Sequence, residues 1–312
     1  MKKLIKHKTS PIVQKADSSF QVEKDTELMV FLVEKLPTKS RFNIKTLLKE
    51  RHIWVKGRSV SQYNHPLVAG DEVTVKWNKG FETKQFRGFR IVFEDQFLIV
   101  IDKQAGFLSI ATDKDKLHNA YAMLSAHVKE QDPANRIFVV HRLDRETSGI
   151  MMYAKNQEMQ KMLQETWHST AKERTYLAIV EEPIREDSGE IRSYLGETKA
   201  LIVYSSPNPK HGSLAITHFE TLQRNEWYSM LKVNLETGRK HQIRVHMKEL
   251  GHPIVGDEKY GARYNPMGRM GLHAWVLGIT HPMTGEQLRF ETGIPYKFRD
   301  LFVESKPIAE RG

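Results

Sequence analysis

The sequence predicts an α+β protein with a mostly antiparallel mixed sheet and flanking helices, preceded by a small α+β module. Three observations carry that expectation. Strand-like runs outnumber helical ones, and five of them follow one another between residues 174 and 235, where a doubly wound fold would alternate strand and helix. Amphipathic helices are few. The charge also changes character near residue 90: the first ninety residues hold 19 Lys and Arg against 9 Asp and Glu, whereas the remainder holds 29 of each.

All of the +10 net charge therefore lies in the first ninety residues, as in a polyanion-binding module joined to a larger neutral body. A chain of 312 residues can bury a full apolar core. With no cysteine, disulfides and thiolate metal sites are excluded and a reducing compartment is the simplest home. The start, MKKLIKHKTSPIVQKADSS, has no apolar run long enough for a signal peptide, and no stretch approaches the ~20 apolar residues of a membrane span. The expectation is a cytoplasmic protein without a membrane anchor.

After a polar leader, ELMVFLVEKLP reads as a short helix stopped by Pro37. Ser40 should cap a second helix, RFNIKTLLKERH, with Ile44, Leu47 and Leu48 at helical spacing. Arg41, Lys45 and Lys49 recur every four residues and line one face of it. IWVKGRSV reads as a hairpin with Lys56, Gly57 and Arg58 at its tip, and GDEVTVKW as a further strand. In the body, FEDQFLIVIDKQAG reads as one strand and a turn. KLHNAYAMLSAHVKEQ reads as an amphipathic helix with Leu117, Tyr121, Leu124 and Val128 on one stripe. RIFVV and IMMYAK flank a polar loop, and Asn156 should cap QEMQKMLQETWHS. RTYLAIV, GEIRSYL, ALIVYSS, LAITHFETL and WYSMLKVNL are the consecutive strands. RKHQIRVHMKEL reads as a helix ended by Gly251, anchored by Ile243, Met247 and Leu250, and AWVLGITHPMTGEQLRFE as a closing hairpin.

The loop between RIFVV and IMMYAK, HRLDRETSG, sets one acid, Asp144, between Arg142 and Arg145. No G-x-S-x-G elbow accompanies His141, Asp144 and Ser148, so a hydrolase triad is not indicated. No H-E-x-x-H, P-loop or G-x-G-x-x-G occurs, so neither a metal nor a nucleotide cofactor is expected. A carboxylate in basic surroundings stays ionised at neutral pH and suits a nucleophile or electrostatic stabiliser. Thr147, Ser148 and Gly149 could orient it through hydrogen bonds. By spacing alone the stretch reads more readily as a strand-to-strand turn held by salt bridges. A second cluster, Arg239, Lys240, His241, Arg244 and Lys248, falls on the helix ended by Gly251. Its cationic face could neutralise the carboxylate and grip phosphates.

HRLDRETSGIMM together with TGRKHQIRVHMKELGHPIVGDEKYG closely resembles the RluA family of RNA pseudouridine synthases. DKQAGFLSI, KERTYLAIV and LHAWVLGITHPMTGEQLRFE follow in that family's order, so the resemblance spans about residues 90–300. Residues 25–77 resemble the RNA-binding domain named after ribosomal small-subunit protein four, which places glycine where Arg51 stands and asparagine where Lys56 stands. These resemblances imply a leader over 1–24, an RNA-binding domain over 25–80 and a synthase domain over 81–312. They imply Asp144 as the catalytic residue, Tyr176 stacked on the uracil and Arg244 paired with Asp144. Arg142, His141, His241, Lys240 and Thr147 would contact substrate, and Arg41, Lys45, Lys49, Lys56 and Arg58 would contact RNA. The implied partner is RNA, ribosomal in preference to transfer RNA. No cofactor, metal or obligate protein partner is expected, and the chain should be monomeric.

Overall fold

The computed structural model describes residues 17–37, 39, 41–49, 51–76, 84–113 and 115–303. Most of the expected leader and the expected Ser40 cap lie outside the described residues. The described chain forms two compact units, a smaller one drawn from 13–82 with 281–286 and a larger one from 83–280 and the residues after 286.

The smaller unit holds β1 (Ser18–Gln21), β2 (Thr26–Glu27), α1 (Leu28–Lys35), α2 (Arg41–Lys49), β3 (Ile53–Val55), β4 (Arg58–Ser59), β5 (Pro66–Leu67) and β6 (Glu72–Val75). Its main sheet runs β1-β6-β3-β4. The strand β1 therefore falls inside the stretch expected as a leader. Leu28 and Leu32 of α1 and Ile44 and Leu48 of α2 pack with Ile53, Val73 and Val75 of that sheet. Arg41, Lys45 and Lys49 stay exposed, as their four-residue spacing requires. The helix α2 ends in a left-handed residue, Arg51 (φ 59°), with the His52 N–H bonded to the Leu47 carbonyl (2.9 Å). That is a Schellman ending, which glycine normally supplies. At the hairpin tip both Lys56 (φ 49°) and Gly57 (φ 75°) are left-handed, the requirement of a two-residue turn matched to strand twist.

The larger unit contains β7 (Gln85–Phe86), β8 (Phe89–Glu94), β9 (Leu98–Lys103), α3 (Ala120–Gln131), β10 (Phe138–Val139), β11 (Ser148–Ala154), α4 (Gln157–Glu165), α5 (Trp167–Thr170), β12 (Glu173–Glu181), β13 (Ser188–Glu197), β14 (Val203–Ser206), β15 (Ser213–Arg224), β16 (Tyr228–Leu235), α6 (Gln242–Glu249), β17 (Leu272–Thr280), β18 (Gln287–Glu291) and α7 (Tyr296–Val303). One sheet takes all its strands, in the order β14-β13-β15-β16-β12-β17-β11-β9-β8-β7, with β10 beside β11 and β18 beside β17. Every pairing is antiparallel except β11 with β17. The expected α+β class with a mostly antiparallel mixed sheet is what the chain forms.

Alternation along β12 gives the two faces different partners. Ala178 and Val180 meet Ile243 and Met247 of α6, while Leu177 and Ile179 meet Phe298 of α7. Burial of each such side chain larger than alanine contributes roughly 1.5–3 kcal/mol. The helix α3 sets Ala120, Leu124 and Val128 against Ile99, Ile101, Met151 and Tyr153.

Several boundaries differ from the sequence expectation. FEDQFLIVIDK is two strands, because the Asp95 carboxylate accepts from the N–H groups of Phe97 (2.7 Å) and Leu98 (2.6 Å) and closes a turn. The helix α3 begins at Ala120, since Asn119 caps it by accepting from Ala122 N (2.9 Å); Leu117 precedes the helix and is 74% exposed. Leu250, expected to anchor α6, is exposed. The helix α7 has no counterpart in that expectation.

Candidate active site

The Asp144 loop enters the sheet at its one parallel junction, where β11 runs beside β17 through Ser148–His273 and Gly149–Ala274. Gly149 (φ 111°) has no room for a side chain, since a Cβ would lie 2.0 Å from the Ala274 carbonyl oxygen. The loop is braced through its backbone. Ser109 Oγ donates to the Leu143 carbonyl (2.7 Å), and Thr147 N to that of Asp144 (3.1 Å). The Arg145 carbonyl accepts from Gly106 N (2.9 Å) and Lys103 Nζ (3.0 Å). Lys103 is buried and also donates to the carbonyls of Gln104 (3.0 Å) and Phe107 (2.8 Å), so three acceptors meet three ammonium protons. Burial pushes its ammonium down to about 7, against the pull of Glu146 and Asp144. His141 accepts from Met152 N through Nε2 (3.1 Å) and lies against Trp167 (4.9 Å between rings). Burial lowers its imidazole to about 4, so it is a neutral anchor of the loop.

Arg244 reaches the loop from α6. Its Nη1 donates to Asp144 Oδ2 (2.9 Å), while Nε and Nη2 donate to the two oxygens of Asp257 (2.7 Å each). The Asp257 carboxylate is 1% exposed and that of Asp144 is 30% exposed. The guanidinium is therefore clamped by a buried acid through two nitrogens and presents the third to an accessible one. The two carboxylates hold the guanidinium protonated, above its ordinary range, although burial opposes them.

His241 occupies a left-handed position (φ 54°) just before α6. Its Nδ1 lies 2.7 Å from Tyr260 Oη, which itself accepts from Val203 N (3.2 Å). His241 Nε2 lies 3.6 Å from Asp144 Oδ2, and a carboxylate there favours the Nε2–H tautomer, in which Nδ1 accepts from the Tyr260 hydroxyl. Burial lowers the imidazole to about 4, outweighing the attraction of Asp144, so the ring is neutral near pH 7. Tyr176 stands on β12 at a register shift between Thr175 and itself against β17. Burial raises its phenol to about 12, so it keeps its proton.

Asp144, Tyr176, His241 and Arg244 line a pocket of about 310 Å³, with Leu235, Ile243 and Leu272 as apolar surface. Of the other residues expected at the site, His141, Arg142, Thr147 and Lys240 also line it. Arg142 is exposed, and among the described residues no ion pair engages it. Lys240 pairs with Glu197. The carboxylate is gripped from α6 and not by its sequence neighbours Arg142 and Arg145. Neither Thr147 nor Ser148 orients it through a side chain; Ser148 Oγ serves His273 Nδ1 (2.7 Å) and Arg269 (2.8 Å). Arg239 and Lys240 precede α6. Gln242 accepts from Arg239 N (2.9 Å) and Thr237 Oγ1 (2.8 Å), which folds TGRK into a turn instead of a first helical turn. Of the expected RNA contacts in the smaller unit, Arg41, Lys45, Lys49 and Arg58 are exposed, while Lys56 pairs with Asp71 (2.7 Å).

Asp257, Tyr260 and Lys103 were not assigned a place in the site by sequence reasoning. Two of them sit within VGDEKYG, where an acid and an aromatic directly after an apolar run were the available signal. Among the described residues no cluster of His, Asp and Glu suits a metal, and no helix is long and apolar enough to cross a membrane.

Comparison with known proteins identifies the family. Residues 97–249 match the sequence model described as RNA pseudouridylate synthase. The chain is 33% identical over 269 residues to an uncharacterised RNA pseudouridine synthase, YlyB, of Bacillus subtilis, covering 84% of this chain and 88% of that one. It is 32% identical over 280 residues to the ribosomal large subunit pseudouridine synthase D of Neisseria meningitidis serogroup B, covering 85% and 74%. In fold it is similar to human RNA pseudouridylate synthase domain containing 4, with a TM-score of 0.55 at 22% identity, over 68% of this chain and 90% of that one.

Proposed function

The chain belongs to the RNA pseudouridylate synthase family, isomerases that act on RNA. From that premise we propose that it converts uridines of structured RNA, large-subunit ribosomal RNA in preference, with Asp144 as the catalytic residue. The carrying observation is a partly exposed carboxylate at the wall of a 310 Å³ pocket, held by an arginine that a buried acid fixes. The ribosomal preference draws on the Neisseria relative's name.

The reaction breaks the bond from uracil N1 to ribose C1′, turns the base, and forms a bond from C5 to C1′. The C5 proton is released and N1 takes one up, so the product is an isomer and no cofactor is consumed. Asp144 serves by adding to C1′ as N1 departs and leaving again as C5 attacks, or by taking the ribose C2′ proton to give a glycal and returning it as C5 adds to C1′; both use the same carboxylate. Arg244 would keep that oxygen aimed. Tyr176 would offer a ring face to the uracil and a phenol that keeps its proton. A base in such a pocket has left its stack, which costs a few kcal/mol and is easiest in loops and bulges. The smaller unit, with Arg41, Lys45, Lys49 and Arg58 exposed, would act as a ribosomal-protein-four-like RNA-binding domain supplying sequence-independent affinity.

Pseudouridine mapping in ribosomal and transfer RNA, with and without the gene, tests the reading. Loss of one or more ribosomal pseudouridines, restored by the wild-type protein and not by Asp144→Asn, is expected. An unchanged map in both RNAs would overturn it.

A further inference from the structure

The hairpin that joins β13 to β14 ends in two large apolar residues that the other described residues leave uncovered. Leu201 is 62% exposed and Ile202 is 45% exposed. Chance fraying does not account for them, because the tip is tied at three points. Thr198 N donates to the Ile202 carbonyl (2.9 Å), Leu201 N to that of Thr198 (2.9 Å), and Ile202 N to Thr198 Oγ1 (3.2 Å). Leu201 is held left-handed (φ 58°), a conformation that costs a residue with a Cβ. A strained, hydrogen-bonded, exposed apolar tip is the kind of feature that function maintains.

The tip is wired to the pocket. Lys259 Nζ donates to the Leu201 carbonyl (2.9 Å). Two residues on, Val203 N donates to Tyr260 Oη, and Tyr260 Oη meets His241 in the pocket wall. At no more than ~3.6 Å of chain per residue, Leu201 Cα lies within about 7 Å of that of Val203. Two cations adjoin it: Lys199 is exposed on the tip, with no ion pair among the described residues, and Lys259 lies beneath it, while the nearby Glu197 is paired with Lys240. Apolar side chains rimmed by cations fit a partner with flat apolar faces on a polyanionic backbone, which is single-stranded or unstacked RNA.

We propose that Leu201 and Ile202 form a wedge that enters the RNA stack beside the uridine held in the pocket and covers the base faces its departure exposes. The inference rests on the function proposed above. Apolar wedges between bases offset the cost of unstacking without reading sequence.

The test uses the full chain and total ribosomal and transfer RNA from cells lacking the gene, with pseudouridine formation measured at limiting enzyme. The variants are Leu201→Ser with Ile202→Ser, and Leu201→Met with Ile202→Met. The serine pair is expected to fold as wild type and to slow formation at least tenfold. Its salt dependence of RNA binding should be unchanged, since a wedge neutralises no phosphate. The methionine pair should restore the rate to within twofold. A folded serine pair at the wild-type rate, or a methionine pair as slow as the serine pair, would overturn the wedge while leaving the synthase reading intact. Wild-type protein that forms no pseudouridine in either RNA would overturn the synthase reading, and the wedge with it.

Discussion

Asp257 grips Arg244 through two hydrogen bonds of 2.7 Å, so the guanidinium that meets Asp144 is positioned without any help from Asp144. A clamped cation facing an accessible acid separates the residues that shape the site from the one proposed to act in it.

Asp144→Asn is accordingly expected to fold as wild type, because Arg244 keeps its stronger partner. Pseudouridine formation should fall by roughly a thousandfold or more. Turnover of a few per cent would refute the assignment of Asp144.

Arg244→Ala should harm more than turnover. It strands the Asp257 carboxylate, 1% exposed, and stranding a buried charge costs about 3–5 kcal/mol. Arg244→Met combined with Asp257→Leu removes both charges and should recover most of that stability while activity stays low. Denaturant unfolding and rate measurements on the same preparations check this; recovery of activity in the double variant would exclude a role for the arginine.

His241 should be neutral at pH 7 with its proton on Nε2. Nitrogen-15 NMR reads the tautomer directly. In Tyr260→Phe, Nδ1 loses its donor, so the Nδ1–H form should become populated, and the Val203 N–H left without an acceptor should cost about 1–3 kcal/mol. A wild-type ring protonated on Nδ1 would contradict the assignment.

Stability should decline on acidification from pH 6.5 toward 4. Burial lowers His141, His241 and His246 to about 4 and His273 to about 3, all below the unfolded value near 6.5. In that window the unfolded chain binds protons that the folded chain refuses, so stability present above pH 6.5 is lost as pH falls, by ~1.4 kcal/mol per pH unit for each histidine. Thermal unfolding across pH measures the slope. His246→Gln should make it shallower by one proton, and an unaltered slope would speak against a neutral His246.

Removing Arg41, Lys45, Lys49 and Arg58 together should weaken RNA binding at low salt. The salt slope should drop by roughly 0.7–0.9 for each phosphate that is no longer neutralised. Lys56→Ser should change it least, because Asp71 already holds that ammonium. Equal slopes for the fourfold variant and the wild type would exclude this surface from RNA binding.

The sheet and most helices were legible because their patterns are local: alternation in β12 and β16, and four-residue spacing in α2. The pairing of Asp144 with Arg244 came from resemblance, since a separation of one hundred residues leaves no periodic trace. The start of α6 was misplaced because Gln242 makes hydrogen bonds at long range, to Ile216 and Thr217, that no window of sequence displays. Asp257 was passed over for a related reason. A buried acid is recognised by its partner, and its partner lies thirteen residues upstream on a helix. Arg51 and Lys56 carry the opposite lesson: tertiary packing of α1 and α2 on their sheet imposed backbone conformations that neither residue favours.

The place of β17 in the sheet has a consequence for how the protein is made. Leu272–Thr280 lies between β12, which carries Tyr176, and β11, which follows the Asp144 loop. Until that strand has been synthesised, the sheet can exist only as two separate pieces, β14 to β12 and β11 to β7. During translation both halves wait with an open edge each, exposed to misassociation. The closing step joins residues 94 to 125 positions apart and so is slow to nucleate. Activity should therefore switch on abruptly, late in elongation, when one strand slots between two preformed halves and the pocket comes into being.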